Sequence, residues 1–235
     1  MPLPLNLAMT PSEIAQNPVL STPPAWMSCH FSEDGTGLTD LPEKLCEDAL
    51  LILDDHIPCR GHSAAQAVAI LRELIARFHC CALLLDFQRP ANAETRALAE
   101  TLLQALPCPV AMPPEYAQKH PCPVFLPPPP LHIPLSKYLY PWRGREIWLE
   151  AALCQERITV TGNGISFEPV PLQSSSAGFF HNTLCCRYNS KVQTDCITFT
   201  LFDTPETLKR RLGQAESLGV SRIVGLYQEL GTIFR

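Results

Sequence analysis

The sequence predicts an α/β protein, a TIM (β/α)8-type barrel, with a complete barrel the first choice and an incomplete or distorted one the second. Three observations carry this. Wholly apolar runs of strand length alternate with amphipathic helical segments, the pattern of a parallel sheet covered by helices. The 235 residues suit one barrel domain. Carboxylates gather at the ends of the apolar runs, where barrels of this class hold their chemistry.

Taken in order, residues 1–24 are proline-rich and weakly patterned. They read as an N-terminal arm, with a single barrel domain over 25–235. Apolar runs at 26–31 (WMSCHF) and 49–55 (ALLILDD) are the first two strands. Residues 63–78 form a helix, with Ser63 as N-cap and apolar residues at helical spacing. The run 81–87 (CALLLDF) is the next strand, and 92–106 a helix capped by Asn92 with Thr95 at N3. Short strands follow at 110–114 (VAMPP) and 124–130 (VFLPPPP), both cut off by prolines. Pro127–Pro130 reads as a rigid connector rather than a ligand for a proline-binding partner. Another strand covers 146–153 (EIWLEAAL).

Antiparallel insertions are expected at 157–170, turning at Gly162-Asn163-Gly164, and at 184–202. A helix over 205–218 has Thr204 as N-cap, Pro205 at N1 and Gly219 after its end. Residues 222–230 (RIVGLYQEL) read as the last strand. These runs make seven parallel strands, and closure needs an eighth, placed near residues 3–8.

Composition narrows the function classes. Hydrophobic residues are 46% and charged residues 17% of the chain, so it packs a core and is not disordered. The net charge is −5 and no basic patch stands out, which argues against nucleic acid. Lys209-Arg210-Arg211 reads as the solvated face of a helix. No run approaches a membrane span. The eleven cysteines are odd in number and lack a CxxC pair. With no leader-like N-terminus, they predict reduced thiols in a cytoplasmic protein, or a secreted one if a leader has been removed. The adjacent pairs Cys80-Cys81 and Cys185-Cys186 sit on strand-like segments, where neighbours point to opposite faces.

Several polar groups invite chemistry. Asp54, Asp55 and His56 end the second strand. With His62, Asp86, His30, Glu33 and Asp34 they carry ligand types that suit a divalent metal. The alternative, loop capping by strand-end Asp and His, is the preferred reading, and no metal or other cofactor is expected. Cys59 lies beside Arg60 and His62, which would favour a thiolate, but no third partner is evident. Trp142 and Trp148 could stack on sugars; for Trp148 barrel-wall packing is the stronger reading. Glu150 and Glu229 also lie near strand ends.

The last third resembles a known family. Phe202, Asp203, Leu208, Leu218-Gly219, Gly225 and Glu229-Leu230-Gly231 match the closing phrase of family 18 glycoside hydrolases, in the chitinase-like group linked to spore cell walls. VAMPP at 110–114, His132-Ile133-Pro134-Leu135 and Arg145–Leu149 resemble earlier segments of that family, in the same order. The resemblance implies a signature D-x-x-D-x-D-x-E on the fourth strand, whose Glu is the general acid. Here its four positions fall on Cys81, Leu84, Asp86 and Gln88. The family's last-strand Trp falls on Gln228, beside Tyr227, and its Met-x-Tyr is absent from 124–130. A neutral amide has no titratable proton to give a leaving oxygen.

The resemblance therefore implies a degenerate member that does not catalyse. It would bind a carbohydrate containing N-acetylglucosamine, another cell-wall glycan, or a protein partner at the former active-site face. The expected binding residues are Asp54, Asp55, Asp86, Gln88, Tyr227, Gln228 and Glu229. The alternative is an active glycosidase with relocated carboxylates, Asp86 with Glu150 or Glu229.

Overall fold

The structure is a computed structural model. It describes residues 3–17, 22–34, 37–58, 64–172 and 177–234. The chain divides into two compact units: residues 1–126, 144–150 and 221–235, and residues 127–143 with 151–220.

The first unit is built on eight parallel strands. They are β1 (Leu5–Met9), β2 (Ala25–Phe31), β4 (Leu50–Asp54), β5 (Ala82–Asp86), β6 (Val110–Ala111), β7 (Val124–Leu126), β8 (Ile147–Ala151) and β14 (Val220–Leu226). Their spatial order is β6-β5-β4-β2-β1-β14-β8-β7, and a single Met112–Val124 bridge joins the two ends into a ring. A two-residue strand, β3 (Leu38–Thr39), runs antiparallel to β2. The eighth strand sought near residues 3–8 is β1, parallel to both β14 and β2. Residues 1–24 are thus not simply an arm. The run Leu5–Met9 is buried from Asn6 onward, and helix α1 (Pro11–Gln16) follows it.

The apolar runs predict their own burial. Ala8, Ala25, Leu50, Ile52, Ala82, Leu84, Ala111, Phe125, Trp148 and Val224 form one core cluster, a layer contributed by all eight strands. Trp148 belongs to this layer at 1% exposure, so its ring packs the core instead of offering a sugar platform. Two outer helices of this unit, α2 (Ala64–Phe78) and α3 (Ala93–Ala105), bury Leu71, Leu74 and Ile75, and Leu98 and Leu102, at helical spacing. Asn92 caps α3 in a reciprocal pair with Thr95, as expected. The proposed cap Ser63, with Cys59 and His62, lies outside the described residues.

Proline shortens two expected strands. VAMPP contributes β6 alone before Pro114 opens the short helix α4 (Pro114–Ala117), and β7 ends at Leu126 before four prolines. The last strand ends at Leu226, not at 230. Tyr227–Leu230 turn into a helical segment, α7.

The second unit holds a short helix α5 (Leu135–Leu139), a longer one α6 (Pro205–Ser217), and a five-stranded antiparallel sheet. The strands are β9 (Gln155–Thr161), β10 (Gly164–Pro169), β11 (Phe179–His181), β12 (Cys186–Val192) and β13 (Cys196–Phe202). Their order is β10-β9-β13-β12-β11. The two expected hairpins are therefore parts of one sheet, joined by β13 against β9. β10 and β11 lie at its ends. Gly164 takes φ +141° where the β9–β10 turn closes, a conformation that favours glycine.

Thr204 caps α6 with Pro205 at its first turn. Arg211 departs from the solvated face expected of Lys209-Arg210-Arg211. It is buried and donates twice to Asp203, at 2.9 and 3.1 Å, and once to the Pro129 carbonyl. The helical period turns Arg211 inward with Leu208 and Ala215.

Candidate functional site

The C-terminal tips of adjacent strands carry polar residues in one row. Cα register sets His30 of β2 beside Asp54 of β4, and Asp54 beside Asp86 of β5. Register partners in a sheet share a face. Asp86 follows Leu84 by two residues, so it stands directly above the core layer. Across the ring, Glu150 follows the buried Trp148 by two on β8 and rises from the same layer. His30 links two carboxylates, with Nδ1 3.2 Å from Asp54 Oδ2 and Nε2 2.9 Å from Asp40 Oδ2. Asp40 takes φ +52°, a left-handed conformation that asparagine and aspartate tolerate best among residues with a side chain.

Gln88 lies two residues beyond Asp86 and is exposed. Its amide Nε2 donates toward both Asp86 oxygens, at 3.2 and 3.3 Å. The Asp86 carboxyl is pushed up by burial first. The Gln88 hydrogen bond pulls it down, and the charges of Asp54 and Asp55 push it up again. Glu150 is raised further, to about 7, by burial and then by the charges of Asp86 and Glu229. Asp86, Glu150 and Glu229 thus share one electrostatic environment at this end of the first unit.

Asp55 does different work from the one expected of it. It is buried at 2% exposure, and its carboxylate accepts the backbone N–H of Gln88 at 2.8 Å and of Arg89 at 3.1 Å. Arg89 in turn donates to the Asp55 and His56 carbonyls. Asp55 therefore fixes the loop after β5, with both its oxygens engaged by backbone N–H groups.

The end of β14 is tied to the start of the chain. Tyr227 Oη donates to Asn17 Oδ1 at 2.9 Å, and Gln228 Nε2 donates to Glu13 Oε1 at 2.6 Å. Glu13 Oε2 meanwhile accepts from the N–H and hydroxyl of Thr10. Glu13 and Asn17 escape the sequence reading, yet Thr10-x-x-Glu13 after an apolar run is a capping-box signal that marks them. Glu229 is exposed. Among the described residues, no group of three His, Cys, Asp or Glu is arranged to hold a metal ion. No described helix is long and apolar enough to cross a membrane.

No protein-family model matches the chain, and no curated protein matches it by sequence. Solved structures do match. The spore cortex-lytic enzyme SleL of Bacillus cereus is similar at TM-score 0.58 and 12% identity, over 95% of this chain and 70% of that one. A mutant family 18 chitinase of Cycas revoluta in complex with (GlcNAc)4 is similar at TM-score 0.61 and 10% identity, over 98% of this chain and 97% of that one. The fold is that of the family 18 glycoside hydrolases. The same Cycas chitinase in complex with (GlcNAc)3 matches equally, at TM-score 0.61 and 10% identity, over 98% and 97% of the two chains. At these identities the likeness is one of fold. Asp86 ends the fourth parallel strand of the ring in chain order, and Gln88 lies two residues beyond that end.

Proposed function

We propose that the first unit binds a glycan containing N-acetylglucosamine at the C-terminal ends of its strands, and that it does not hydrolyse this glycan by the usual family 18 route. The observation that carries the reading is the Gln88 amide, hydrogen-bonded to Asp86 at the tip of β5 in a family 18 fold. Asp86 remains to orient an N-acetyl group, while the neighbouring side chain keeps the shape of an acid without its proton. One substitution in the (GlcNAc)4-bound Cycas chitinase also replaces a glutamate by a glutamine, and that protein holds its oligosaccharide. Leu84, buried in the core layer, removes a further charge from beneath the site. Calorimetric titration with (GlcNAc)4 tests the reading. Saturable binding weakened about tenfold by Asp86→Ala, a loss of about 1.4 kcal/mol, is expected, with no release of shorter oligomers. Absence of binding by the wild type sinks it.

A second reading is favoured by Glu150. A carboxyl raised to about 7 is half protonated near neutrality, which is what a general acid requires. With Asp86 or Glu229 it would make a relocated pair. Release of a fluorogenic aglycone from N-acetylglucosamine oligomers at rates on the order of 1 s⁻¹, abolished by both Glu150→Gln and Asp86→Ala, would establish catalysis and displace the first reading.

A further inference from the structure

The opposite end of the first unit carries thiols that glycan binding does not use. Cys81 immediately precedes β5, and Cys108 lies two residues before β6. The strands pair Leu83 with Val110 and Leu84 with Ala111, and that register, continued two residues back past the start of both strands, sets Cys81 opposite Cys108. The Leu83 N–H donates to the Pro109 carbonyl at 3.0 Å, which holds this register close to the two cysteines. Neighbouring strands lie about 4.8 Å apart, and a disulfide spans Cα separations of about 4.4–6.8 Å.

Access and charge then separate these two thiols from their neighbours. Cys81 and Cys108 are both half-buried, whereas Cys80 is buried. The Cys80 thiol points at the Leu74 carbonyl, 3.9 Å away, and burial pushes it up to about 12; burial also pushes the Cys108 thiol up, to about 11, so neither is the attacking sulfur. Arg222 of β14 directs its guanidinium at the Cys81 sulfur, 3.4 Å away. The same guanidinium is fixed by Asn6 Oδ1 at 2.7 Å and lies over the Trp148 ring, 4.7 Å from its centroid. A fixed cation donating to a sulfur, with a second thiol in reach, is the arrangement of a peroxide-reactive cysteine and its resolving partner.

We propose that Cys81 and Cys108 are a peroxide-oxidisable pair, with Cys81 the attacking sulfur and Cys108 the resolving one. The oxidant is hydrogen peroxide. The Cys81 thiolate attacks one peroxide oxygen; an S–O bond forms, the O–O bond breaks, and hydroxide leaves as water after taking the thiol proton. Cys108 sulfur then attacks Cys81 sulfur. The S–S bond forms, the S–O bond breaks, and the Cys108 proton leaves with the second water. Two thiols lose two electrons, and one peroxide becomes two waters.

The test is peptide mapping of the reduced full-length protein before and after a small molar excess of hydrogen peroxide, without reductant, with dimedone present in a parallel sample. Peroxide should produce a linked Cys81–Cys108 peptide in the wild type. Cys108→Ser should instead accumulate the dimedone adduct on Cys81, and Cys81→Ser should give neither product. Arg222→Gln should slow the linkage about tenfold. A linkage through Cys80 or Cys46, or oxidation that leaves Cys81 and Cys108 unlinked in the wild type, overturns the proposal. The wild-type map decides even if a variant folds poorly.

Discussion

Glu150 shows how one residue can couple folding to pH. Its carboxyl is raised to about 7 in the folded chain, against an ordinary value of 4.5. The folded state therefore holds a proton that the unfolded state gives up. The stabilisation is fully present below about pH 4.5 and is lost as pH rises through about 7. Asp86 shifts in the same direction, so its effect has the same sign. Glu150→Gln removes the penalty. Urea denaturation at pH 8 should find the variant about 1–2 kcal/mol more stable than wild type, after allowance for the water that reaches a half-buried carboxyl, and little different at pH 4.5. A variant equally stable or less stable at pH 8 would show that Glu150 is charged in the folded state at no cost. At this scale the sequence was readable where chemistry followed strand alternation. Asp86 ends its strand on the face of Leu84 because i and i+2 share a face. Glu150 was read as a strand-end carboxylate that could pair with Asp86, but its raised carboxyl was not legible, since Asp86 and Glu229 lie 64 residues before it and 79 after it. No local pattern reports such a meeting.

At the scale of elements, the loop after β5 is held from the end of β4. Asp55 accepts two backbone N–H groups while buried. Replacing it with alanine leaves those donors without their acceptor, a loss of about 1–3 kcal/mol. The same loop carries Gln88, so Asp55→Ala should also weaken (GlcNAc)4 binding. Asp55→Asn should retain much of the stability, because one amide oxygen can still accept from Gln88. Thermal denaturation of both variants decides the order; an alanine variant as stable as wild type removes the role given to Asp55. Caps were the most legible feature of the elements: Asn92 with Thr95, and Thr204 with Pro205, are local signals with local causes. What escaped was pairing. The joining of two hairpins through β13 depends on contacts far apart in sequence, and Tyr227–Leu230 continued an apolar run that tertiary contacts with Glu13 and Asn17 bend into a helical turn.

For the whole molecule, the ring of the first unit is uneven. β4 and β5 are paired over five residues, while β6 and β7 meet at the one Met112–Val124 bridge. Their hydrogen bonds are Met112 N–H to Pro123 O at 3.1 Å and Phe125 N–H to Met112 O at 2.8 Å. Prolines on both sides leave few other donors there. Native-state hydrogen exchange should therefore find the Met112 and Phe125 amides opening well before those of Leu51–Leu53 and Leu83–Leu85. Equal protection across both seams would mean that the ring opens only as one unit. Seven of the eight strands were legible because each is an apolar run between polar or proline stops, and the eighth followed only from what closure of the ring requires. The division into two units was not, since the residues of the second are interleaved along the chain with those of the first.

The outermost strand of the antiparallel sheet bears on how the protein behaves in crowded solution. β10 exposes Ile165 and Phe167 at 60% and 51%, and it pairs with β9 alone. An apolar end strand is a template for growth by addition of further chains. Two residues oppose this. Glu168, held by Arg157 at 2.8 Å, places a charge on the strand, and Pro169 withholds an N–H where pairing would continue. Replacing both, with Glu168→Val and Pro169→Thr, should leave the circular dichroism spectrum unchanged while light scattering rises at lower protein concentration. In that sense a charge and an imino acid on one strand set the shelf life of the whole preparation, far from any residue that meets a ligand.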